Sequence, residues 1–232
     1  MKLGIMQPYF FPYIGYWQLI NAVDKFVLLD DVNFIMRGYI NRNNILLNGK
    51  AHLFSVPLEK PSQNKLINEI RLNFSNKEKE TFLKTITMAY KKAPYFNSIY
   101  PIIERIIKNP QNDLTQYIKF SIEEIKNYLN IKTEIKLSSD IKKDNTLKAQ
   151  DRILEINKNL KSNIYINAIG GQELYDTQEF KKNGIDLYFI KTKYFKYQQF
   201  KNEFVPNLSI IDILMFNPIE KIKEILDNYE LI

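Results

Sequence analysis

The chain opens on an apolar run, Lys2–Met6, that reads as a buried strand. A loop rich in proline and aromatic residues follows over Gln7–Gly15, and a short helix is predicted from about Tyr16 to Val23. A second apolar run, Lys25–Leu29, ends at Asp30-Asp31. Strand, loop, helix and strand in this order open a parallel βαβ unit. The pattern then changes. Ile45–Leu47 and Ala51–Val56 flank Asn48-Gly49, a pair that readily takes the positive φ angles of a type I′ hairpin turn. Leu66–Leu72 is a further strand candidate.

Ser75 and Glu78 have the spacing of a capping box. Behind them Phe82, Leu83, Ile86 and Ala89 keep one helical face, and Pro94 marks its end. Pro101 is placed to begin the next helix, and an amphipathic helix follows Asp113, with Leu114, Ile118, Ile122, Ile125 and Leu129 on one side. The last third alternates again. Thr133–Leu137 reads as a strand, Leu147–Leu160 as a helix, and Ile164–Asn167 as a strand ending near Gly170-Gly171. Asp176 and Glu179 cap a short helix that stops at Gly184, Ile185–Ile190 is a strand, and two final helices begin near Ser209 and at Asn217-Pro218. The expected fold is α/β, a parallel sheet in one domain over residues 1–232, interrupted by a mostly helical middle at roughly 74–130. Such a sheet takes its ligand at the carboxyl ends of the strands.

Composition narrows the chemistry. Apolar residues make up 45%, which fits a folded protein rather than a disordered one. Tyr and Phe number 15 each, an excess that suits a core and also a polar ligand cleft. Cysteine is absent, so disulfides, thiolate metal sites and cysteine nucleophiles are excluded. His52 is the sole histidine, which excludes a two-histidine metal site; in its Leu- and Phe-rich surroundings it reads as structural. No residue is assigned to a metal. The net charge of +7 is nearly all lysine and favours an anionic partner such as a phosphate-bearing small molecule, though a solvated surface explains it equally. No arginine-rich arm or basic coiled-coil region is present, so nucleic acid is not an expected partner. No charged segment precedes a long apolar run and no membrane span is found, so the expected location is the cytoplasm.

Three clusters carry candidate chemistry. The first is the loop after the first strand, where Gln7, Tyr9, Tyr13 and Tyr16 put polar tips on a backbone stiffened by Pro8 and Pro12. The following helix would present free N–H groups suited to a phosphate; the alternative is an aromatic plug over the sheet end. The second cluster runs from Asp30-Asp31 to Arg37, Asn41 and Arg42. Paired carboxylates at a strand end can act as a base, hold Mg²⁺ or grip an amine, and can equally cap the next element or pair with Arg37 or Arg42. Arg is scarce in this chain, and its fork suits phosphate and carboxylate groups. The third is Asn167 with Gly170-Gly171, where backbone amides could meet a ligand or simply turn. Lys148–Arg152 reads as a surface helix start, and Pro206–Asn217 as core and helix cap.

These clusters together resemble the WbqC-like protein family. The carrying residues are Ile5–Tyr16, Asp30-Asp31-Val32 with Phe34, Arg37-Gly38 with Ile40–Asn43, Tyr165–Asn167 with Ile169–Gly171, and Leu208–Asp212. The resemblance implies bacterial surface-polysaccharide assembly, often of O-antigen, and a suggested role in attaching an amino acid, glycine in particular, to an amino sugar. A more distant likeness is to nucleotidyltransferase-type α/β enzymes such as pantothenate synthetase, whose Rossmann-type core carries His-x-Gly-His where this chain has Tyr13-Ile14-Gly15-Tyr16. Tyrosine can hydrogen-bond a phosphate but lacks histidine's positive charge.

The resulting expectation is an enzyme forming an amide by acyl or aminoacyl transfer to a nucleotide-linked amino sugar. Asp30 or Asp31 would be the base or amine anchor. Arg37 and Arg42 would hold phosphates with Asn41 nearby, Gln7, Tyr9, Tyr13 and Tyr16 would bound the sugar or base, and Asn167, Gly170 and Gly171 would orient the acyl group. The partners are the amino sugar and an amino acid or acyl donor, and homo-oligomerisation stays open. ATP and Mg²⁺ are required only if the acyl group is activated in situ. The alternatives are a glycosyl- or nucleotidyl-transferase on a nucleotide sugar, or a binding or scaffold subunit.

Overall fold

The computed structural model describes residues 1–201 and 203–232. In chain order its elements are β1 (Lys2–Met6), α1 (Ile14–Ala22), β2 (Lys25–Leu28), β3 (Arg42–Leu47), β4 (Lys50–Ser55), β5 (Leu58–Glu59) and β6 (Arg71–Leu72). Then come α2 (Asn76–Tyr90), α3 (Phe96–Lys108), α4 (Leu114–Leu129), β7 (Glu134–Leu137), α5 (Ala149–Asn159) and β8 (Ile164–Ala168). The chain closes with α6 (Thr177–Lys182), β9 (Asp186–Thr192), α7 (Ile210–Phe216), α8 (Ile219–Leu226) and β10 (Tyr229–Leu231).

The main sheet has the order β10-β9-β8-β1-β2-β7. β7, β2, β1, β8 and β9 are mutually parallel, and β10 closes one edge antiparallel to β9. Ranked by position in the chain, the parallel strands run 3-2-1-4-5, the doubly wound α/β arrangement of a Rossmann-like fold. The order reverses between β1 and β8. Each strand sends alternate residues to opposite faces. Phe26, Leu28, Ile166 and Ile190 join one apolar cluster with α1, α4, α7 and α8, and that cluster continues into α2 and α3. Leu3, Ile5, Val27, Tyr165, Leu187 and Phe189 join the other, under α5 and Phe180 of α6.

Local signals act as expected at several points. Asn48 and Gly49 take φ of 51° and 73°, as a type I′ turn requires. Ser75 accepts a hydrogen bond from the Glu78 N–H, and Glu78 accepts one from the Ser75 N–H at 2.8 Å. Elsewhere the structure corrects the reading. Leu66–Leu72 is mostly not a strand: the Glu69 carboxylate takes the Leu66 N–H at 2.7 Å and closes a 3₁₀ turn over Ile67–Glu69, leaving only Arg71–Leu72 to pair with β5. Pro101 does not start α3, which begins at Phe96; the ring sits on the solvent side, where the carbonyl of exposed Asn97 can meet water instead. His52 stands exposed on β4, opposite Ile45. No described helix is long and apolar enough to cross a membrane.

Candidate functional site

The loop after β1 is partly a plug and partly open. Pro8, Phe10, Phe11 and Pro12 are buried, while Gln7, Tyr9 and Tyr13 are half-buried. Phe11 holds φ at 45°, strained for a bulky residue. The strain is held in place by its surroundings: the Phe10 N–H donates to Ile40 at 3.0 Å, and the Asn43 side chain donates to the Phe11 carbonyl at 2.8 Å. Tyr16 is corrected from a ligand contact to a core residue. It is fully buried on α1, and its hydroxyl donates to the Gln7 carbonyl at 2.9 Å. Tyr9 stacks on its ring at 5.5 Å between centroids. Tyr16 therefore braces the open part of the loop from behind.

The two aspartates have separate partners, and neither is bonded to Arg37 or Arg42. Leu29 donates to the Met6 carbonyl at 2.8 Å, which carries β2's hydrogen bonding one residue beyond the strand and delivers Asp30 to the carboxyl edge. Asp30 is buried, and both its oxygens are occupied: Oδ1 by the Ser139 N–H at 2.9 Å, Oδ2 by the Ser139 hydroxyl at 2.7 Å. Burial raises its pKa, and the two Ser139 bonds oppose that rise. Asp30 thus caps the turn that follows β7. Asp31 pairs with Lys143 at 2.5 Å and faces Arg152 at 3.5 Å, all three side chains being largely buried. Arg152 is itself held by the carbonyls of Asp31, Leu147 and Asn145. Asp31 Oδ1 is buried and accepts no hydrogen bond among the described residues. It is the oxygen that faces Arg152, whose charge offsets part of the cost of its burial, and a ligand donor would supply the missing hydrogen bond.

Asn167 is built into the fold. Its amide donates to the Tyr165 hydroxyl at 3.0 Å, and its oxygen takes the Ala168 N–H at 2.7 Å. A Cβ on Gly171 would lie 3.0 Å from that amide, so glycine supplies the room. Gly170 is exposed with open space around it, in a 3₁₀ turn over Ile169–Leu174. Arg37, Asn41 and Arg42 line a different depression, of about 280 Å³, with Met36, Leu53 and Pro57. The donors of Arg42 go to the carbonyls of Gly38 (2.9 Å, from Nε) and Arg37 (from Nη2), and the Asn41 amide goes to the Val56 carbonyl at 2.9 Å. These two residues shape backbone; Arg37 remains exposed.

β1 and β8 are parallel neighbours, so the Gln7 loop and the Ile169 turn leave the sheet side by side at the reversal of strand order. The cavity at this edge is lined by Tyr13 but not by Gly170 or Gly171. It measures about 210 Å³ and lies between Tyr13, Thr192 at the end of β9, and the rings of Tyr194, Phe195, Tyr197 and Phe204. Tyr197 and Phe204 meet edge to face at 5.1 Å. The wall is pinned from below by Asp212, fully buried in α7. Its carboxylate accepts from Tyr197 (2.5 Å), Gln199 (2.6 Å) and Tyr90 (2.9 Å). Burial raises the Asp212 pKa despite these three donors. Sequence reasoning passes over this wall and Lys143, and it reads Arg152 as part of a surface helix start, whereas the structure holds it against Asp31. The aromatic density of 194–204 is the one signal for the wall; Lys143 gives none.

An ATP site of the His-x-Gly-His kind does not fit these residues. The residue at the second histidine of that pattern, Tyr16, is sealed in the core with its hydroxyl already donated. Among the described residues no cluster of three or more His, Cys, Asp or Glu side chains could hold a metal ion.

Comparison with known proteins finds sequence similarity over nearly the full length. An uncharacterized protein of Mycobacterium tuberculosis (strain ATCC 25618 / H37Rv) is 24% identical over 225 residues, covering 92% of each chain. No solved structure matches significantly. The pattern of the WbqC-like protein family matches residues 7–224, and the chain belongs to that family.

Proposed function

We propose that the chain is an enzyme of bacterial surface-glycan assembly that forms an amide on a nucleotide-linked amino sugar by acyl or aminoacyl transfer. The observation that carries this reading is the buried Asp31 Oδ1, which faces Arg152 at 3.5 Å yet accepts no hydrogen bond among the described residues, on the sheet edge that also holds an aromatic cavity. The cavity walls, with Tyr13, take the planar or ring-shaped part of the nucleotide sugar. Asp31 Oδ1 accepts a hydrogen bond from the sugar amine and then its proton, as the nitrogen attacks the activated carbonyl and the donor's carrier leaves. Because the His-x-Gly-His pattern is not reproduced, the acyl group is taken to arrive already activated.

A second reading, a nucleotide-sugar-binding subunit without turnover, is favoured by one observation: Asp30 is fully bonded and Asp31 is ion-paired. The test is to incubate the protein with nucleotide-linked amino sugars and an acyl or glycyl thioester, and to follow the amide by mass spectrometry. Amide formation supports the transferase. Amide formation only with ATP, with AMP or ADP released, moves the reading to a ligase; release of free UDP or dTDP moves it to a glycosyltransferase. Saturable binding with no product leaves the binding subunit.

Gly15→Ala tests the cavity. Alanine normally favours a helix over glycine by about 1 kcal/mol. Here a Cβ would sit 2.6 Å from Tyr13 Cε2 and 3.1 Å from Thr192 Oγ1, so the Tyr13 ring must swing away. We expect unfolding free energy to change by no more than about 1 kcal/mol, by urea titration, and nucleotide-sugar affinity to fall roughly 10-fold, by calorimetry. Unchanged affinity would remove Tyr13 from the site.

A further inference from the structure

We propose that the turn Ile35–Gly38, with Leu53 and Tyr39 beside it, is a docking tip for an anionic lipid surface. Ile35, Met36, Tyr39 and Leu53 are 51%, 46%, 52% and 51% exposed, and Met36 and Leu53 rim one depression with Arg37 and Arg42. Presenting bulky aliphatic side chains to water is unfavourable. The turn adds a second unfavourable feature. It is closed by the Gly38 N–H on the Ile35 carbonyl at 3.2 Å, and Arg37 is held at φ 61°, a conformation that glycine or asparagine ordinarily supplies. Arg42 clamps it there through the Gly38 and Arg37 carbonyls. A strained turn kept rigid with its apolar tips outward is built to meet something.

Charge indicates what it meets. Between Asp31 and Glu59 the chain carries no carboxylate side chain, while Arg37, Arg42 and Lys50 fall inside this stretch. Apolar tips flanked along the chain by cations, with Glu59 the first carboxylate beyond them, match the boundary between hydrocarbon and anionic headgroups. Ile35, Met36 and Leu53 enter acyl chains readily, and Tyr39, the one stacking face among these tips, also suits the headgroup level of a bilayer. Tyr39 lies 6.3 Å from Tyr9 of the β1 loop, so the tip borders the candidate site.

The test is co-sedimentation of the whole protein with vesicles of phosphatidylcholine alone, and of phosphatidylcholine containing one quarter phosphatidylglycerol. Wild type is expected to sediment with the anionic vesicles and not the neutral ones. The double variant Ile35→Ser/Met36→Ser changes only exposed side chains and is expected to keep the wild-type melting temperature while binding about 30-fold more weakly. Arg37→Ser should lose about 5-fold. Lys221→Ser, which removes an exposed cation on α8, should bind as wild type does. Failure of the wild type to bind anionic vesicles overturns the proposal. So does equal loss in Lys221→Ser and in the double variant, which would mean a diffuse charge effect. Tighter binding to duplex DNA than to vesicles, lost in the same double variant, would assign the tip to nucleic acid instead.

Discussion

Asp212→Ala is expected to lower the unfolding free energy by about 3–5 kcal/mol, the range for breaking a buried charged hydrogen-bond network. The substitution leaves the Tyr90 hydroxyl, the Tyr197 hydroxyl and the Gln199 amide without their shared acceptor, all in the interior. It also unties segments far apart in the chain: α2 through Tyr90, β3 through the Leu46 N–H on the Tyr90 hydroxyl, and the cavity wall through Tyr197. Urea unfolding measures the loss; a change under about 1 kcal/mol would mean that water replaces the carboxylate without difficulty. Asp212→Asn adds a pH test. The folded-state pKa is raised above 3.8, so the folded protein binds this proton more tightly than the unfolded chain. The stability from that proton is complete below about 3.8 and is lost as pH rises through the folded pKa. The variant lacks the titration, so the stability gap between wild type and Asp212→Asn should shrink as pH rises above about 3.8. A gap that widens instead would show that the three donors outweigh desolvation.

The other large effect concerns the aspartate pair. Asp31→Asn is expected to cut amide-forming turnover by about 10²- to 10⁴-fold, the range for a general base, whereas Asp30→Asn should mainly lower stability. The difference follows from the bonds. Asp30 has both oxygens on Ser139, so its charge serves a cap; Asp31 alone keeps an oxygen without a hydrogen bond. Asp31→Asn also strips Lys143 and Arg152 of their counter-ion, so the fold itself is disturbed and lost turnover alone does not assign a base. The double variant Asp31→Asn/Lys143→Met separates the two. It removes the nearer of the two orphaned charges, while Arg152 keeps its three carbonyl partners, and should recover most of the melting temperature. If turnover stays low while stability returns, Asp31 acts on substrate. If turnover returns with stability, Asp31 is structural and the base lies elsewhere.

Several features of this protein follow from neighbours within a few residues, and these are legible in the amino-acid sequence itself. The Asn48-Gly49 turn depends on two backbone angles, the Ser75–Glu78 box on a spacing of three, and the face of α4 on a period of 3.6. The βαβ opening is legible too, because apolar runs broken by proline and glycine admit few local alternatives. So is the place of the Gln7 loop at the carboxyl edge, since a loop between a parallel strand and its helix must leave the sheet there. β10 is not legible, because three residues carry no period; its strand character comes from the open edge of β9 beside it.

What tertiary structure alone decided is the partner of each polar group. Asp31 finds Lys143 and Arg152 more than a hundred residues along the chain, because β2 and β7 pair in parallel and bring the loop after β7 against the end of β2. Tyr13 and Tyr16 look alike in sequence, yet Tyr13, just ahead of α1, lines a cavity, while Tyr16, within its first turn, is sealed against Tyr9 and Phe26. Asp212, which reads as part of a helix start, becomes the pin of an aromatic wall only once α2, β3 and the segment after β9 converge on it. Turn geometry and helix caps are local free energies and are written in adjacent residues. Ion pairs and cavities depend on which strands lie side by side, and that is settled by closing the whole chain around two apolar faces of one sheet.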